Sequence, residues 1–213
     1  MKSFYKKEEY NEYKIHQTRK WGAKANKQRG FQEYKSIFDN VKNLEKFKNI
    51  FIESKNIEMI CLGARNPHEK NSFRQLFLDE KINVDGFSLD IAESAAVDYH
   101  YDFGDMPKDW TERFSVIYTN APDHAFDFSQ CLSEWKRVLK PGGVCIIGIS
   151  DINIATTNTN SNNLNPEDCT LFESKDEIKN MMESNFSSVS YFERDCVSKN
   201  IKRMNYNYWI CFK

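Results

Sequence analysis

The feature that most constrains this chain is an alternation of strand-like and helix-like apolar patterns between residues 57 and 150. Residues 57–62, 82–89, 114–118 and 144–149 are short apolar runs of the kind that form buried strands. Apolar residues at spacings of three and four lie between them and indicate helices. Strand–helix–strand alternation predicts a parallel sheet with helices on its faces, and right-handed crossovers favour an open, doubly wound α/β sheet.

The segments outside this alternation add further elements. Residues 31–44 carry a helix-like apolar stripe, and Ser174 and Glu177 form a capping box that opens another helix. The stretch 151–165 is rich in Asn, Thr and Ser, which predicts a mobile polar loop reaching to about residue 170. Two more strand-like runs lie near the C-terminus, at 189–192 and 206–212.

Charge is distributed unevenly along the chain. Residues 1–50 hold 13 Lys and Arg against 6 Asp and Glu, whereas residues 51–213 hold 17 against 25. We therefore predict a basic helical cap over 1–50 and one main domain over 51–213. The cap is either a solvated surface packed on the body or a surface that holds an anionic substrate.

Several classes of protein are disfavoured by the sequence. No apolar stretch approaches the length of a membrane span, and the N-terminus lacks the apolar run of a secretory signal, so we expect a cytoplasmic protein. The six cysteines form no Cys-x-x-Cys motif and the four histidines show no metal-ligand spacing. We expect buried thiols and no metal.

Three strand ends carry residues suited to binding a nucleoside. In a doubly wound sheet, ligands bind outside the carboxyl ends of the strands, where the strand order reverses. Gly63 follows the first strand, but the complete Gly-x-Gly-x-x-Gly phosphate loop is absent. Asp90 ends the second strand and could accept both ribose hydroxyls, while Asp102 and Phe103 could bind and pack against adenine. Each residue alone also fits an ordinary turn or loop position.

One stretch resembles a known family. Residues 132–144 read Leu-Ser-Glu-Trp-Lys-Arg-Val-Leu-Lys-Pro-Gly-Gly-Val, a helix that ends before a buried strand. With this stretch the chain resembles the class I S-adenosylmethionine-dependent methyltransferases, from about residue 57 to 150 and more loosely to the C-terminus. Gly63-Ala64-Arg65 and Asp123-His124 resemble one subgroup. The resemblance implies a Rossmann-like, mostly parallel seven-stranded sheet with C-terminal antiparallel strands.

The resemblance also implies S-adenosylmethionine as the cofactor, with residue roles at each strand end. By this resemblance, the methionine part lies against Gly63, the ribose against Asp90, adenine against Asp102 and Phe103, and the sulfonium beside Asn120. Three neighbours are further candidates for binding the cofactor: Ala64, Arg65 and Ile91. The chain departs from the family at two places. Its first loop keeps Gly63 alone, and the usual Phe-Asp before the fourth strand is Phe114-Ser115.

His124 and Asp123 are the catalytic candidates. A histidine just past a ligand-facing strand end could remove the proton of an oxygen acceptor, and Asp123 could bind or orient that acceptor. The alternative is a loop histidine that bonds to the backbone. Residues 120–123 partly resemble a loop of the amino-methyltransferases that act on adenine bases. That loop stacks the flipped base on an aromatic residue, and Asp123 occupies the position of this aromatic, which disfavours base methylation.

The basic arm offers candidates for binding an anionic acceptor: Arg19, Lys20, Trp21 and Arg29. We predict O-methylation of a small molecule or glycan precursor, phosphate- or nucleotide-linked. The first alternative is an RNA or protein methyltransferase that docks through the arm, although the net charge of −1 makes nucleic acid less favoured. The second is a non-catalytic binding module. The sequence does not predict the oligomeric state.

Overall fold

The structure is a computed structural model. It describes residues 2–3, 9–10, 12, 31–53, 57–155, 170–198 and 201–213. The strands are β1 (Lys2–Ser3), β2 (Glu58–Leu62), β3 (Asp85–Asp90), β4 (Tyr99–His100), β5 (Phe114–Thr119), β6 (Leu139–Ser150), β7 (Thr170–Leu171), β8 (Ser188–Ser198) and β9 (Ile201–Phe212). The helices are α1 (Phe31–Val41), α2 (Glu45–Glu53), α3 (His68–Asp79), α4 (Phe128–Val138) and α5 (Lys175–Asn185). Three short 3-10 helices lie at Lys108–Trp110, Pro122–His124 and Asp151–Asn153.

Seven strands form one sheet in the order β4-β3-β2-β5-β6-β9-β8. The pairs from β4 to β6 are parallel, whereas β9 is antiparallel to both β6 and β8. The chain runs outward from β2 to β4 and then returns to the other side of β2 at β5, so the strand order reverses between β2 and β5. The predicted doubly wound, mostly parallel sheet with C-terminal antiparallel strands is confirmed.

The sheet separates two apolar layers because successive strand residues point to opposite faces. On β2, Ile60 and Leu62 pack towards α4 and α5, and Met59 and Cys61 pack towards α1, α2 and α3. Both layers contain large buried aromatic side chains. In the first these include Phe128, Trp135 and Trp209, and in the second Tyr34, Phe47, Phe73 and Tyr208.

The apolar stripe predicted over 31–44 forms α1, and a second helix, α2, follows it. The ring of Phe38 in α1 meets that of Phe77 in α3 edge-on with centroids 4.9 Å apart, and Phe47 in α2 also contacts Phe77. These buried rings make residues 31–53 part of the layer that covers one face of the sheet. The domain boundary at residue 50 stays a prediction.

The segment after β6 differs from the predicted polar surface loop at its beginning. Residues 151–153 form a 3-10 helix, and Asn153 and Ile154 are both buried. Ile154 forms a β-bridge with Phe172, and its apolar side chain packs in the layer of α4 and α5. The many Asn and Thr residues around Ile154 make this burial hard to predict from the sequence. Residues 156–169 of the predicted loop lie outside the described residues.

The predicted capping box and buried thiols are both present. The hydroxyl of Ser174 accepts a bond from the backbone N–H of Glu177 (3.1 Å), so α5 begins at the predicted place. The Glu177 carboxylate accepts from the backbone N–H of Glu173, one residue earlier than in the standard capping box. In the part of the chain that the structure describes, four cysteines are free and buried, and burial raises the pKa of their thiols: Cys61, Cys131, Cys145 and Cys211.

Candidate active site

The turn after β2 requires a glycine. Gly63 has a φ of +68°, and a Cβ at this position would lie 2.7 Å from the Cβ of Ala121 and 3.8 Å from Cε1 of Phe103. Such a backbone conformation is costly for residues with a side chain. Gly63 therefore allows the segments after β2, β4 and β5 to meet at the reversal of strand order.

Asp90 at the end of β3 is a buried carboxylate fixed by two backbone amides. Its Oδ2 accepts from the N–H of Arg65 (3.1 Å) and its Oδ1 accepts from the N–H of Ala92 (2.7 Å). Arg65 has a φ of +50°, and the N–H of Ala64 donates to the carbonyl of Leu89. Because each carboxylate oxygen accepts more than one bond, Asp90 keeps acceptor capacity for a ligand. Ile91, half-buried, follows directly.

The loop that contains Asp102 and Phe103 is held from α4. The Trp135 indole N–H donates to the carbonyl of Phe103 (3.0 Å), and the two rings meet edge-on. Oδ1 of the half-buried Asp102 accepts from the N–H of Gly104 (2.9 Å). The structure thus brings Phe103 beside Gly63, and Asp102 lies in the same turn as Phe103.

An ion pair fastens the rest of this loop. Arg137 donates to the carbonyls of Met106 (3.2 Å) and Pro107 (3.1 Å), and Glu134 accepts from the N–H of Met106 (2.8 Å). Burial alone would raise the pKa of Glu134, but its bonds to Arg137 and to Met106 outweigh burial and lower that pKa below its usual value. The segment between Phe103 and β5 is therefore tied to α4 by charge-assisted hydrogen bonds.

The end of β5 contributes Thr119 and Asn120. The Thr119 hydroxyl donates to the carbonyl of Leu62 and accepts from the N–H of Ala121, each at 3.2 Å, and so joins the ends of β2 and β5. Asn120 is half-buried, and its Nδ2 donates to Oε1 of Glu69 in α3 (3.0 Å). Asn120 thus lies at the same sheet edge as Gly63 and Asp90.

Asp123 and His124 lie in the 3-10 helix that follows Asn120. Both are half-buried, and the N–H of His124 donates to the carbonyl of Ala121 (3.1 Å). The carbonyl of Ala125 accepts from the buried hydroxyl of Thr170 (2.5 Å), so residues near 170 pack against this helix. The two catalytic candidates are therefore near the carboxyl end of β5, as their sequence position predicts, and their roles stay predictions.

The four predicted substrate-binding residues lie outside the described residues: Arg19, Lys20, Trp21 and Arg29. Their role stays a prediction. Within the described ranges no group of three or more His, Cys, Asp or Glu could hold a metal ion. No helix in that part of the chain is long and apolar enough to cross a membrane.

Sequence reasoning missed three polar residues at this edge: Glu69, Tyr34 and Thr119. A glutamate in the first turn of a helix usually faces solvent, yet Glu69 is only 7% exposed and accepts from both Asn120 and the Tyr34 hydroxyl. The sequence does place Glu69 in the first turn of the helix that follows Gly63. Because this turn lies next to the carboxyl end of β2, that position could have identified Glu69 as a residue near the strand ends.

The fold and these strand ends define a class of protein. A seven-stranded, doubly wound sheet of this order, with antiparallel strands next to its last parallel strand, is the Rossmann-like fold of class I methyltransferases. Residues 96–209 match the family described as "Methyltransferase domain", and the chain belongs to that family. It is an S-adenosylmethionine-dependent methyltransferase, as the resemblance implies. The Gly-Ala-Arg and Asp-His subgroup stays a prediction.

Solved structures support the same fold. YcgJ of Bacillus subtilis is 11% identical with a TM-score of 0.61, covering 86% of this chain and 99% of its own. Geranyl diphosphate C-methyltransferase of Streptomyces coelicolor is 12% identical with a TM-score of 0.57, covering 94% and 98%. Phosphoethanolamine N-methyltransferase 2 of Haemonchus contortus is 10% identical with a TM-score of 0.55, covering 86% and 53%. This chain therefore spans about half the length of the Haemonchus enzyme. No curated protein matches the sequence.

Proposed function

We propose that this methyltransferase methylates an oxygen atom of a small-molecule or glycan-precursor acceptor that carries a phosphate or nucleotide group. The observation that carries the cofactor part of the proposal is the meeting of Gly63, Asp90 and Asn120 at one edge of the parallel strands. Ligands of doubly wound sheets bind at this edge, where the strand order reverses.

The residues at this edge fit S-adenosylmethionine. Asp90 is held by two amides and retains lone pairs on both oxygens, so it can accept the two ribose hydroxyls. Phe103, fixed by Trp135 and adjacent to Gly63, offers a ring for adenine, and Asp102 offers an acceptor for its amino group. The turn of Gly63, Ala64 and Arg65 and its neighbour Ile91 complete the proposed cofactor site.

The chain's own residues would align and activate the acceptor. When bound, S-adenosylmethionine would supply the methyl group that the acceptor oxygen takes, and its sulfur would keep the electron pair of the broken bond. His124 takes the proton of the acceptor hydroxyl, because imidazole accepts protons near neutral pH. Asp123 orients the acceptor for attack on the methyl carbon.

Two structural neighbours support an anionic small acceptor. The Haemonchus enzyme was solved with phosphomonomethylethanolamine and the Streptomyces enzyme with geranyl diphosphate, and both of these ligands carry phosphate. In this chain, the predicted cap over residues 1–50 carries an excess of seven positive charges. Lys and Arg side chains bind phosphate through charge-assisted hydrogen bonds, so Arg19, Lys20 and Arg29, with Trp21, are the proposed contacts.

Isothermal titration with S-adenosylmethionine and S-adenosylhomocysteine tests the cofactor site. We expect micromolar binding to the wild type and at least about tenfold weaker binding to Asp90→Ala, which loses charge-assisted bonds to ribose. Asp98→Ala is the matched control, because Asp98 is a carboxylate that bonds to Ser88 and Lys70 and not to the turn after Gly63. Equal binding to both variants would contradict the role of Asp90.

Release of S-adenosylhomocysteine during incubation with sugar nucleotides and phosphorylated small molecules tests the acceptor class. We expect turnover with one of these classes, and a loss of at least about tenfold in His124→Ala with cofactor affinity unchanged. The basic arm also supports a second candidate function, the methylation of RNA or protein. Salt-sensitive binding to RNA together with RNA methylation would favour that candidate and contradict the small-molecule proposal.

A further inference from the structure

The amide of Asn120 is held in one orientation by a buried glutamate. Oε1 of Glu69 accepts from Nδ2 of Asn120 at 3.0 Å, and Glu69 is only 7% exposed. The Tyr34 hydroxyl donates to the same Oε1, so this oxygen acts as an acceptor. A flipped amide would place the Asn120 carbonyl oxygen against the Glu69 oxygen, so the NH2 group must face Glu69 and the carbonyl oxygen must face away.

Glu69 is itself supported from a second element. The hydroxyl of Tyr34, which lies on α1 and is 1% exposed, donates to the same Oε1 at 3.4 Å. The Tyr34 ring packs edge-on against Phe73 and His68, both on α3. Packing of this kind restricts the rotamers of Tyr34 and Glu69, which makes them suitable for fixing a neighbouring side chain.

We infer that Glu69 is a positioning residue that turns the carbonyl oxygen of Asn120 towards the sulfonium of S-adenosylmethionine. The inference rests on the proposed placement of the sulfonium beside Asn120. A carbonyl oxygen carries partial negative charge and attracts the cationic sulfonium, whereas an NH2 group would repel it. S-adenosylhomocysteine lacks that positive charge, so the orientation of Asn120 should favour the methyl donor over the demethylated product.

The test compares how tightly each variant binds the two ligands, measured by isothermal titration. Glu69→Ala leaves the Asn120 amide free to flip and should lower affinity for S-adenosylmethionine about fivefold relative to S-adenosylhomocysteine, which equals the loss of one hydrogen bond. Asn120→Ala should produce the same relative loss. Glu69→Gln retains an amide oxygen that can accept from Asn120, so it should restore most of the wild-type preference.

A double-mutant cycle determines whether Glu69 acts through Asn120. The preference of Glu69→Ala combined with Asn120→Ala should equal that of either single variant, since removing Asn120 leaves Glu69 nothing to orient. Glu134→Gln is the matched control, because Glu134 is a glutamate of similar burial that fixes the adenine-side loop. It should change affinity for the two ligands by the same factor.

Three results would overturn the inference: equal weakening of both ligands by Glu69→Ala, additive effects of the two alanine substitutions, or failure of Glu69→Gln to restore the preference. Equal weakening would mean that Glu69 acts on the methionine part that the two ligands share. If Glu69→Ala does not fold, Asn120→Ala, at a half-buried position, still decides, because an unchanged preference contradicts the inference. A wild type that binds neither ligand would instead refute the proposed function itself.

Discussion

The two ends of strand β5 each carry a buried hydroxyl, and the two hydroxyls differ in their hydrogen bonding. At the carboxyl end, the Thr119 hydroxyl bonds to Leu62 and Ala121 and joins two strand ends. At the amino end, the equally buried hydroxyl of Ser115 has no hydrogen-bond partner in the described part of the chain. Buried hydroxyls normally have partners, so the Thr119 hydroxyl joins two strand ends whereas the Ser115 hydroxyl makes no such link.

The same contrast holds for two glycines with positive φ. Gly63 at the carboxyl end packs against Ala121, whereas Gly142, with a φ of +72°, would have nothing within 4 Å of an added Cβ. Gly142 lines an open groove with Gly143 and Ser115, and three lysines also border it: Lys46, Lys140 and Lys213. The turn at Gly63 is therefore closely packed, whereas the one at Gly142 faces open space.

The largest expected effect comes from the two glycines. Gly63→Ala should destabilise the protein by about 3 kcal/mol, because backbone strain and the contact with Ala121 add together, and it should abolish measurable cofactor binding. Gly142→Ala should cost about 1 kcal/mol from backbone strain alone and leave binding unchanged. Urea unfolding and titration calorimetry measure both quantities. Equal effects of the two substitutions would remove the distinction between the ends.

Thr119→Val should have the next largest effect. Valine keeps the shape of threonine but leaves the N–H of Ala121 without its acceptor, which should lower the free energy of unfolding by about 2 kcal/mol. Cofactor affinity should fall as well, since Asn120 and Ala121 lose their anchor to β2. Thr119→Ser keeps the hydroxyl and should behave close to wild type. A Thr119→Val variant as stable as wild type would show that the anchor is not needed.

The loop between Phe103 and β5 should respond to pH, because Glu134 of α4 accepts a bond from its backbone. The folded-state pKa of Glu134 lies below its ordinary value of about 4.5, so its pairing with Arg137 stabilises the protein above that pH and is lost as the pH falls through the folded-state pKa. Glu134→Gln should therefore be less stable by up to about 1 kcal/mol at neutral pH, and the difference should be smaller near pH 3.

Urea unfolding at the two pH values measures this difference. Glu183→Gln is the control, because Glu183 belongs to an exposed pair with Lys179 at 3.7 Å that should contribute little at either pH. A Glu134→Gln difference that does not change between the two pH values would assign the effect to packing and not to charge.

The smallest effect is expected for Ser115→Ala. Removing a buried hydroxyl that lacks a partner should leave stability unchanged or raise it by up to about 1 kcal/mol, without altering cofactor affinity. Thermal unfolding of this variant beside Thr119→Val compares the two ends of β5 directly. A loss of stability comparable to that of Thr119→Val would mean that Ser115 has a structural role that its contacts do not reveal.

The sequence predicted the sheet and most elements because their patterns are local. The short apolar run 144–149, which follows Pro-Gly-Gly, favours a buried strand, and the stripe from Phe128 to Val138 matches a helical face. The strand-end glycine and Asp90 were also predictable, because their positions follow from the strands. The structure differs from the predicted loop at residues 151–154, because the burial of Ile154 depends on Phe172, a contact distant in sequence.

The support of the site could not be predicted in the same way. Glu69 and Tyr34 lie on α3 and α1, and their meeting with Asn120 depends on how two helices pack over the sheet. A charged residue in a first helical turn ordinarily indicates a solvated position. Only the packed structure identifies Glu69 as a buried acceptor, which is why the sequence predicts the strand-end residues and misses the residues that orient them.

A crystal structure of the chain with S-adenosylhomocysteine tests the central claim most directly. The account predicts the ribose hydroxyls on the Asp90 carboxylate, the adenine beside Phe103, and the sulfur near Asn120, all at the carboxyl ends of β2, β3 and β5. Ligand bound in the groove at the amino end of β5, or none at a saturating concentration, would contradict it.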